Sequence, residues 1–415
     1  MTRTTGLSGT ALALILLTGG SAFAEDVTLN VWSWQAPMSA QWDEIFAVYE
    51  AAHPGIDVVF RGVPGTDYPT VLQTGLSGDG GPDLLMLHPY ASVAPYSRAG
   101  QLRAITSADV PELSNFLPEA IAAAEIDGQL WGVPFAKQTI QVYYNKAIFA
   151  DLGLTPPAAF EDMAKIAAKV QEAGLIPYAV TGKDSWQLVN VFDALVGPLY
   201  GGRDFLNAAL AGEKSFTDPA FVAALQAFDD LTPAFPRFVA GVSYSDSQTM
   251  FSSGQAAMYP GGAWELGGFR ATDATLDIGV FSVPMPGGGG AAPTWGYEDG
   301  AFAISAKAAH PDEALALLRW IATPEFGQVF TDKLAQASSV NGVTPADPVL
   351  GEMLANYAAN PVPMVWVTDY FGVSAPAPYA ALMNAAQNLL ADATTPEEAA
   401  ASIQASVDEW NALKK

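Results

Sequence analysis

The chain has 415 residues, with 18 Lys+Arg against 43 Asp+Glu, a formal net charge of −25, no cysteine and 50% hydrophobic residues. An acid excess of this size repels nucleic-acid backbones and anionic membrane faces, whose recognition draws on clustered Lys and Arg. Zero cysteine excludes disulfides, thiolate metal sites, a Cys nucleophile and a lipid anchor on an N-terminal Cys. The three histidines, His53, His88 and His310, are too scattered to suggest a metal cluster, and the length predicts two lobes of ordinary domain size.

Residues 1–24 have the three parts of a secretory signal: Arg3 in a short positive start, the apolar run from Ala11 to Leu17, and Ala22-Phe23-Ala24 as a cleavage site. The run is well short of the ~20 residues a spanning helix needs. Export as a soluble protein follows, and a periplasm is the expected compartment. Val27, Leu29 and Val31 then alternate with polar residues as in a strand, ending at Trp32-Ser33-Trp34-Gln35. Trp42, Ile45, Phe46 and Tyr49 recur at helical spacing up to His53-Pro54-Gly55, and Ile56–Phe60 reads as a second strand. This is a strand–helix–strand unit with parallel strands. A helix from Tyr68 to Leu76, the Gly-rich turn 78–83 and a strand Leu84–Leu87 ending at His88-Pro89-Tyr90 repeat it.

The middle and end of the chain are more helical. Asp218-Pro219, His310-Pro311, Thr323-Pro324 and Thr395-Pro396 each mark a helix start, and Glu398 completes a capping box with Thr395. Pro284-Met285-Pro286 followed by four glycines, 287–290, reads as an exposed connector. The Ala-rich tail after Ala380 reads as packed helix.

The sequence lacks a G-x-S-x-G turn, an H-E-x-x-H pair, a phosphate loop, a dinucleotide fingerprint after a strand and an EF-hand loop. A carboxylate pair for glycoside hydrolysis requires only two acids close in space; Glu265 beside Trp264, or Asp299, would serve, but 43 acids make that choice uninformative. Aromatic residues are more telling. Trp32, Trp34, Tyr90, Trp131, Trp186, Trp264, Trp295 and Trp366 fall in or near turns, whereas Trp42 and Trp320 lie on helical stripes and read as core. A turn-borne ring can offer its face to the C–H face of a sugar while amides and hydroxyls bind the ring hydroxyls. Their spread over both halves of the chain suits a cleft between lobes.

Several motifs then run in a shared order: Val31-Trp32-Ser33-Trp34, the helix end Ala52-His53-Pro54-Gly55-Ile56, Gly81-Pro82-Asp83-Leu84, and Gly128-Gln129-Leu130-Trp131-Gly132-Val133-Pro134-Phe135. Tyr143-Tyr144-Asn145-Lys146 with Phe149, the stretch from Met250 to Met258 with Gly262 and Trp264, and Glu313-Ala314 with Trp320 continue it. In these the chain resembles the extracellular solute-binding proteins of carbohydrate ABC importers, the maltose-binding-protein-like family.

The resemblance implies an α/β fold of two lobes, each an open sheet flanked by helices, joined by crossing hinge segments with the ligand between them. It implies an N-terminal lobe of 25–137 and 290–340 and a C-terminal lobe of 138–289 and 341–415. Carried over, the ligand-binding positions are Trp34, Gln35, His88, Tyr90, Lys137, Gln138, Trp186, Gly262, Trp264, Glu265, Trp295, Tyr297 and Asp369. At 137–138 the family often has an acid, and this chain has Lys-Gln. An inward Lys137 would leave room for a sugar acid, a sulfonated sugar or a glycerol-phosphate-type anion. The expected function is capture of a small carbohydrate for delivery to ABC importer permease subunits, by a monomer without metal or cofactor. An exported glycoside hydrolase is the rival from another class.

Overall fold

The computed structural model describes residues 1–2, 27–371 and 377–413; most of the expected signal segment therefore lies outside the described residues. The two opening strands, Val27–Ser33 and Ile56–Gly62, pair in parallel along their whole length, and Leu84–Leu87 joins on the other side of the first. The helix between them, Ser39–Ala52, buries Trp42, Ile45, Phe46 and Tyr49, the stripe its 3.6-residue period predicts.

One ten-stranded sheet runs through the molecule. Its main path places Ile56–Gly62, Val27–Ser33, Leu84–Leu87, Thr294–Ile304, Val133–Asn145, Ala256–Gly262 and Ile176–Tyr178 side by side. Two of these strands are long. Val133–Asn145 has 13 residues and Thr294–Ile304 has 11, and each serves two separate hydrophobic cores. Val133, Phe135 and Ala136 pack with Ala301, Phe302 and Ile304 in the first core. Ile140 and Val142 pack with Trp295 in the second. Between those ends Lys137 pairs with Glu298, Gln138 with Tyr297 and Thr139 with Gly296, and Asp299 falls in a break of the register. The crossing is polar because it belongs to neither core. These are the two lobes and their hinge strands.

Trp42 is the centre of the first core, with Phe46, Phe60, Phe135, Phe302 and Phe330 at ring distances of 5.5 to 5.9 Å. Each fully buried ring of this kind contributes roughly 1.5–3 kcal/mol. The second core is built around Phe192, Phe221, Phe228 and Tyr200, with Trp366 against Phe216 and Phe221. Trp366 is fully buried: its place near a sequence turn does not put it in the cleft, because the short helix Val365–Thr368 turns it inward.

The helix starts follow their sequence signals. Asp218 accepts from the Ala220 N–H, Thr323 from Phe326, and Thr395 and Glu398 bond each other's backbone N–H reciprocally. The connector at 287–290 places all four glycines at φ between 71 and 86°, a run that side chains rarely tolerate. A Cβ on Gly288 would also meet the Ala158 carbonyl at 2.7 Å.

Candidate functional site

The site begins where strands of the first lobe end. Trp34 follows Val27–Ser33 and His88 follows Leu84–Leu87, so both leave the carboxyl ends of neighbouring parallel strands, where open α/β sheets place their ligands. The two rings stack at 4.0 Å between centroids. Tyr68 locks this corner: its hydroxyl hydrogen-bonds to the Trp32 and Met86 carbonyls, one from each strand, at 2.9 and 2.8 Å.

His88 faces the hinge. Its Nδ1 lies 3.8 Å from Asp299 Oδ1 and 3.4 Å from the Asp299 carbonyl. Asp299 drops out of the strand register between Glu298 and Gly300, a bulge that re-aims its side chain out of the ladder. Burial lowers the His88 pKa and raises that of Asp299, each opposed by the charge of the other. Asp299 Oδ2 accepts from Gln138 Nε2 at 3.1 Å, and Gln138 Nε2 also donates to Gln336 Oε1 at 3.3 Å. Tyr90 joins from the same corner, its hydroxyl accepting from the Glu298 N–H at 3.0 Å. It does so with φ at 62°, a conformation costly for a bulky residue.

The second lobe supplies a cluster of rings about one carboxylate. Glu265, fully buried at the start of helix Glu265–Thr272, accepts on Oε1 from Trp264 Nε1 at 2.9 Å, Tyr244 Oη at 2.9 Å and Tyr259 Oη at 3.1 Å. Its Oε2 accepts from Gln248 Nε2 at 2.8 Å. Burial raises its pKa to about 7 in spite of these donors. The network fixes Trp264 and Tyr244, and Trp186 packs on both, at 6.1 and 5.1 Å. Trp186 opens its helix, Trp186–Val196, and its carbonyl accepts from the Tyr379 hydroxyl at 3.2 Å.

The halves meet at the hinge. The Tyr297 hydroxyl, held well above its ordinary pKa chiefly by burial, lies within electrostatic reach of Asp299, Tyr379, Tyr90 and Tyr244. Phe371 packs edge-on to both His88, at 6.0 Å, and Tyr379, at 5.0 Å. Asp369 lies close enough to Tyr90 to act on its hydroxyl.

Of the positions expected from sequence, the structure brings together Trp34, His88, Tyr90, Gln138, Trp186, Trp264, Glu265, Tyr297 and Asp369. Four others stand elsewhere. Gln35 turns into the first lobe and accepts from Trp42 Nε1 at 2.7 Å. Lys137 is on the opposite face of the strand from Gln138, with Nζ 3.6 Å from Glu298 Oε1. Gly262 makes room for its neighbour: a Cβ there would sit 1.9 Å from the Trp264 ring. Trp295 is 1% exposed and seals the second core against Gly197 and Tyr200. Tyr244, Gln336, Phe371 and Tyr379 join the site without having been expected. For Tyr244 a signal exists, since Ser243 and Asp246 form a capping box that puts it at the first turn of helix Tyr244–Ser252.

The chain matches the family model of the bacterial extracellular solute-binding proteins over residues 32–328. It is 27% identical over 351 residues to the multiple sugar-binding protein of Streptococcus mutans, covering 81% of each chain. Among solved structures it is similar to a chitin oligosaccharide binding protein, with a TM-score of 0.78, 24% identity, and 93% of this chain and 100% of the other covered. It is equally similar, at a TM-score of 0.78 and 24% identity, to a solute-binding protein in complex with raffinose, with 92% and 99% covered. These likenesses show the two-lobed fold, and the sequence match shows the family: the chain belongs to the bacterial extracellular solute-binding proteins.

Proposed function

We propose that this protein is the substrate-binding component of an ABC importer, capturing a carbohydrate between its lobes and delivering it to the membrane permease. One observation carries the reading: Trp34 stacks on His88 beside Asp299, Trp186, Trp264 and Tyr244 gather about Glu265, and Tyr297 of the hinge strand lies within electrostatic reach of both Asp299 and Tyr244. That is the combination a sugar requires, apolar faces for its C–H surface and hydrogen-bond partners for its hydroxyls. The sugar-binding relatives support it. A ligand held by both lobes favours the closed arrangement to the extent that it binds that arrangement more tightly, and closure then presents a surface the permease can read.

Catalysis forms no part of the proposal. The Glu265 carboxyl is fully buried and bonded to Trp264, Tyr244, Tyr259 and Gln248, which suits a part in holding the rings in place. We read the protein as an exported, periplasmic monomer from its signal-like first 24 residues and its family; no helix among the described residues is long and apolar enough to cross a membrane. A thermal-shift screen of mono-, di- and trisaccharides tests the reading: at least one sugar is expected to raise the melting temperature, and no shift with any of them would reject it.

A further inference from the structure

Late in the chain one segment of the second lobe reaches back to the first. Pro361–Pro363 pairs with Thr294–Gly296, the Met364 N–H donates to the Gly296 carbonyl, and the short helix Val365–Thr368 lies against Tyr90–Val93. The residues after that helix are anchored in the second core. Tyr370 is 1% exposed and packs on Trp366 at 5.9 Å and on Phe216 at 6.1 Å. Its N–H donates to the Val365 carbonyl, and its own carbonyl accepts from the Tyr379 N–H at 3.3 Å.

Phe371 comes next, and its half-buried ring leaves that core. It meets His88 of the first lobe at 6.0 Å and Tyr379 of the second at 5.0 Å, both in the edge-to-face arrangement that aromatic pairs favour. Each partner belongs to a wall of the cleft: His88 stacks on Trp34, and the Tyr379 hydroxyl donates to the Trp186 carbonyl. One ring therefore spans the space between the walls, beside the rings that each wall offers a sugar. The His88 side chain is still 43% exposed, so this contact borders the cleft and is not part of a core. Tyr370 ties the neighbouring backbone to the second core, and the Phe371 ring is carried with that lobe.

We infer, resting on the carbohydrate reading, that Phe371 is the end wall of the cleft: the terminal unit of a bound sugar stops against this ring, and a chain cannot run on between His88 and Tyr379. The substrate is then a short saccharide with one enclosed end, not a segment within a longer polymer. A ring that bridges both walls refuses added atoms by overlap, which is selection by exclusion, and removing it leaves room for them.

Isothermal titration calorimetry on the mature chain tests this. Glucose, galactose, maltose, cellobiose, melibiose and maltotriose are compared first. The tightest of them is then compared with its nitrophenyl glycoside, extended at the reducing end, and with its benzylidene acetal on the terminal unit, extended at the other end. In the parent, one of the two extensions is expected to weaken binding by about tenfold or more. Phe371→Ala is expected to cut that penalty to within about threefold and to leave the effect of the other extension as it was. Phe371→Tyr, which keeps the ring, is expected to keep the penalty. A merely structural role for Phe371 would weaken extended and unextended sugars alike and leave their ratio unchanged. A parent that binds both extended forms as tightly as the plain sugar overturns the inference, and so does a Phe371→Ala protein in which the penalties stand. Both results leave the carbohydrate reading in place. Absence of heat with every unmodified sugar instead overturns that reading, and this inference with it. Should Phe371→Ala not fold, Phe371→Leu, which also removes the ring, carries the same comparison.

Discussion

Lys137 Nζ lies 3.6 Å from Glu298 Oε1, across two paired hinge strands and on the face turned away from Gln138. Glu298 is buried, and its other oxygen accepts from the Ser339 hydroxyl. Removing the lysine therefore leaves a buried carboxyl without its cation. Lys137→Met is expected to destabilise the protein by about 1–3 kcal/mol, below the full cost of breaking a buried pair because Lys137 keeps some exposure. Adding Glu298→Gln should recover part of the loss. Urea denaturation of the two single variants and the double variant measures the coupling.

Glu265 gathers the second lobe's rings. Glu265→Leu strips the acceptor from Trp264, Tyr244, Tyr259 and Gln248 at once, and each buried donor left unpaired costs about 1–3 kcal/mol before relaxation. A loss of about 3–5 kcal/mol is expected in guanidinium denaturation, with weakened sugar binding because Trp264 is no longer held. Glu265→Gln keeps one acceptor oxygen and should lose less in both measurements.

Stability should fall as pH rises from about 4.5 to 7. Burial raises Asp193 from 3.8 to about 7, and Glu265 from 4.5 to about 7. In that window the unfolded chain has released both protons while the folded chain retains them. Stability is therefore fully present below the unfolded values and lost as pH rises through the folded ones, with a slope of about 1.4 kcal/mol per pH unit for each group. Exposed carboxyls with lowered pKa, such as Asp109 and Asp246, act with the opposite sign and below about pH 4. Asp193→Asn retains an oxygen for Tyr200 Oη and Trp366 Nε1. Denaturation at pH 5, 6 and 7 should show a flatter slope in Asp193→Asn than in the parent; an unchanged slope would remove Asp193 from this account.

The ring of Trp264 lies over Gly262 so closely that a Cβ would come within 1.9 Å of it. Gly262→Ala is expected to displace the ring, shift the tryptophan emission and weaken sugar binding about tenfold. The second core should survive, since the substitution adds one methyl group at its edge.

How much of this could be read beforehand depended on period and punctuation. The stripe of Trp42, Ile45, Phe46 and Tyr49, the opening parallel strands and the capped helix starts are local signals, and they appear as expected. Side-chain direction at the hinge is not local. Lys137 and Gln138 are neighbours in sequence, yet the two-residue period of a strand sends one to Glu298 and the other to Asp299. Asp299 reaches the cleft through a bulge that only the pairing with Val133–Asn145 reveals. Trp295 and Trp366 share the turn-like surroundings of Trp34 and Trp264 in sequence, and only the packing of the second core separates the two kinds. Tyr379 and Phe371 reach the site from the end of the chain, where no motif marked them.

The central claim is that both lobes hold one sugar, and calorimetry of a sugar identified by the thermal-shift screen, with Trp34→Ala and Trp264→Ala beside the parent, tests it most directly. The account predicts one sugar per chain, and at least tenfold weaker binding in each variant, because each removes a ring from a different lobe. Unchanged affinity in either variant, with its fold intact, would contradict a ligand held between the lobes.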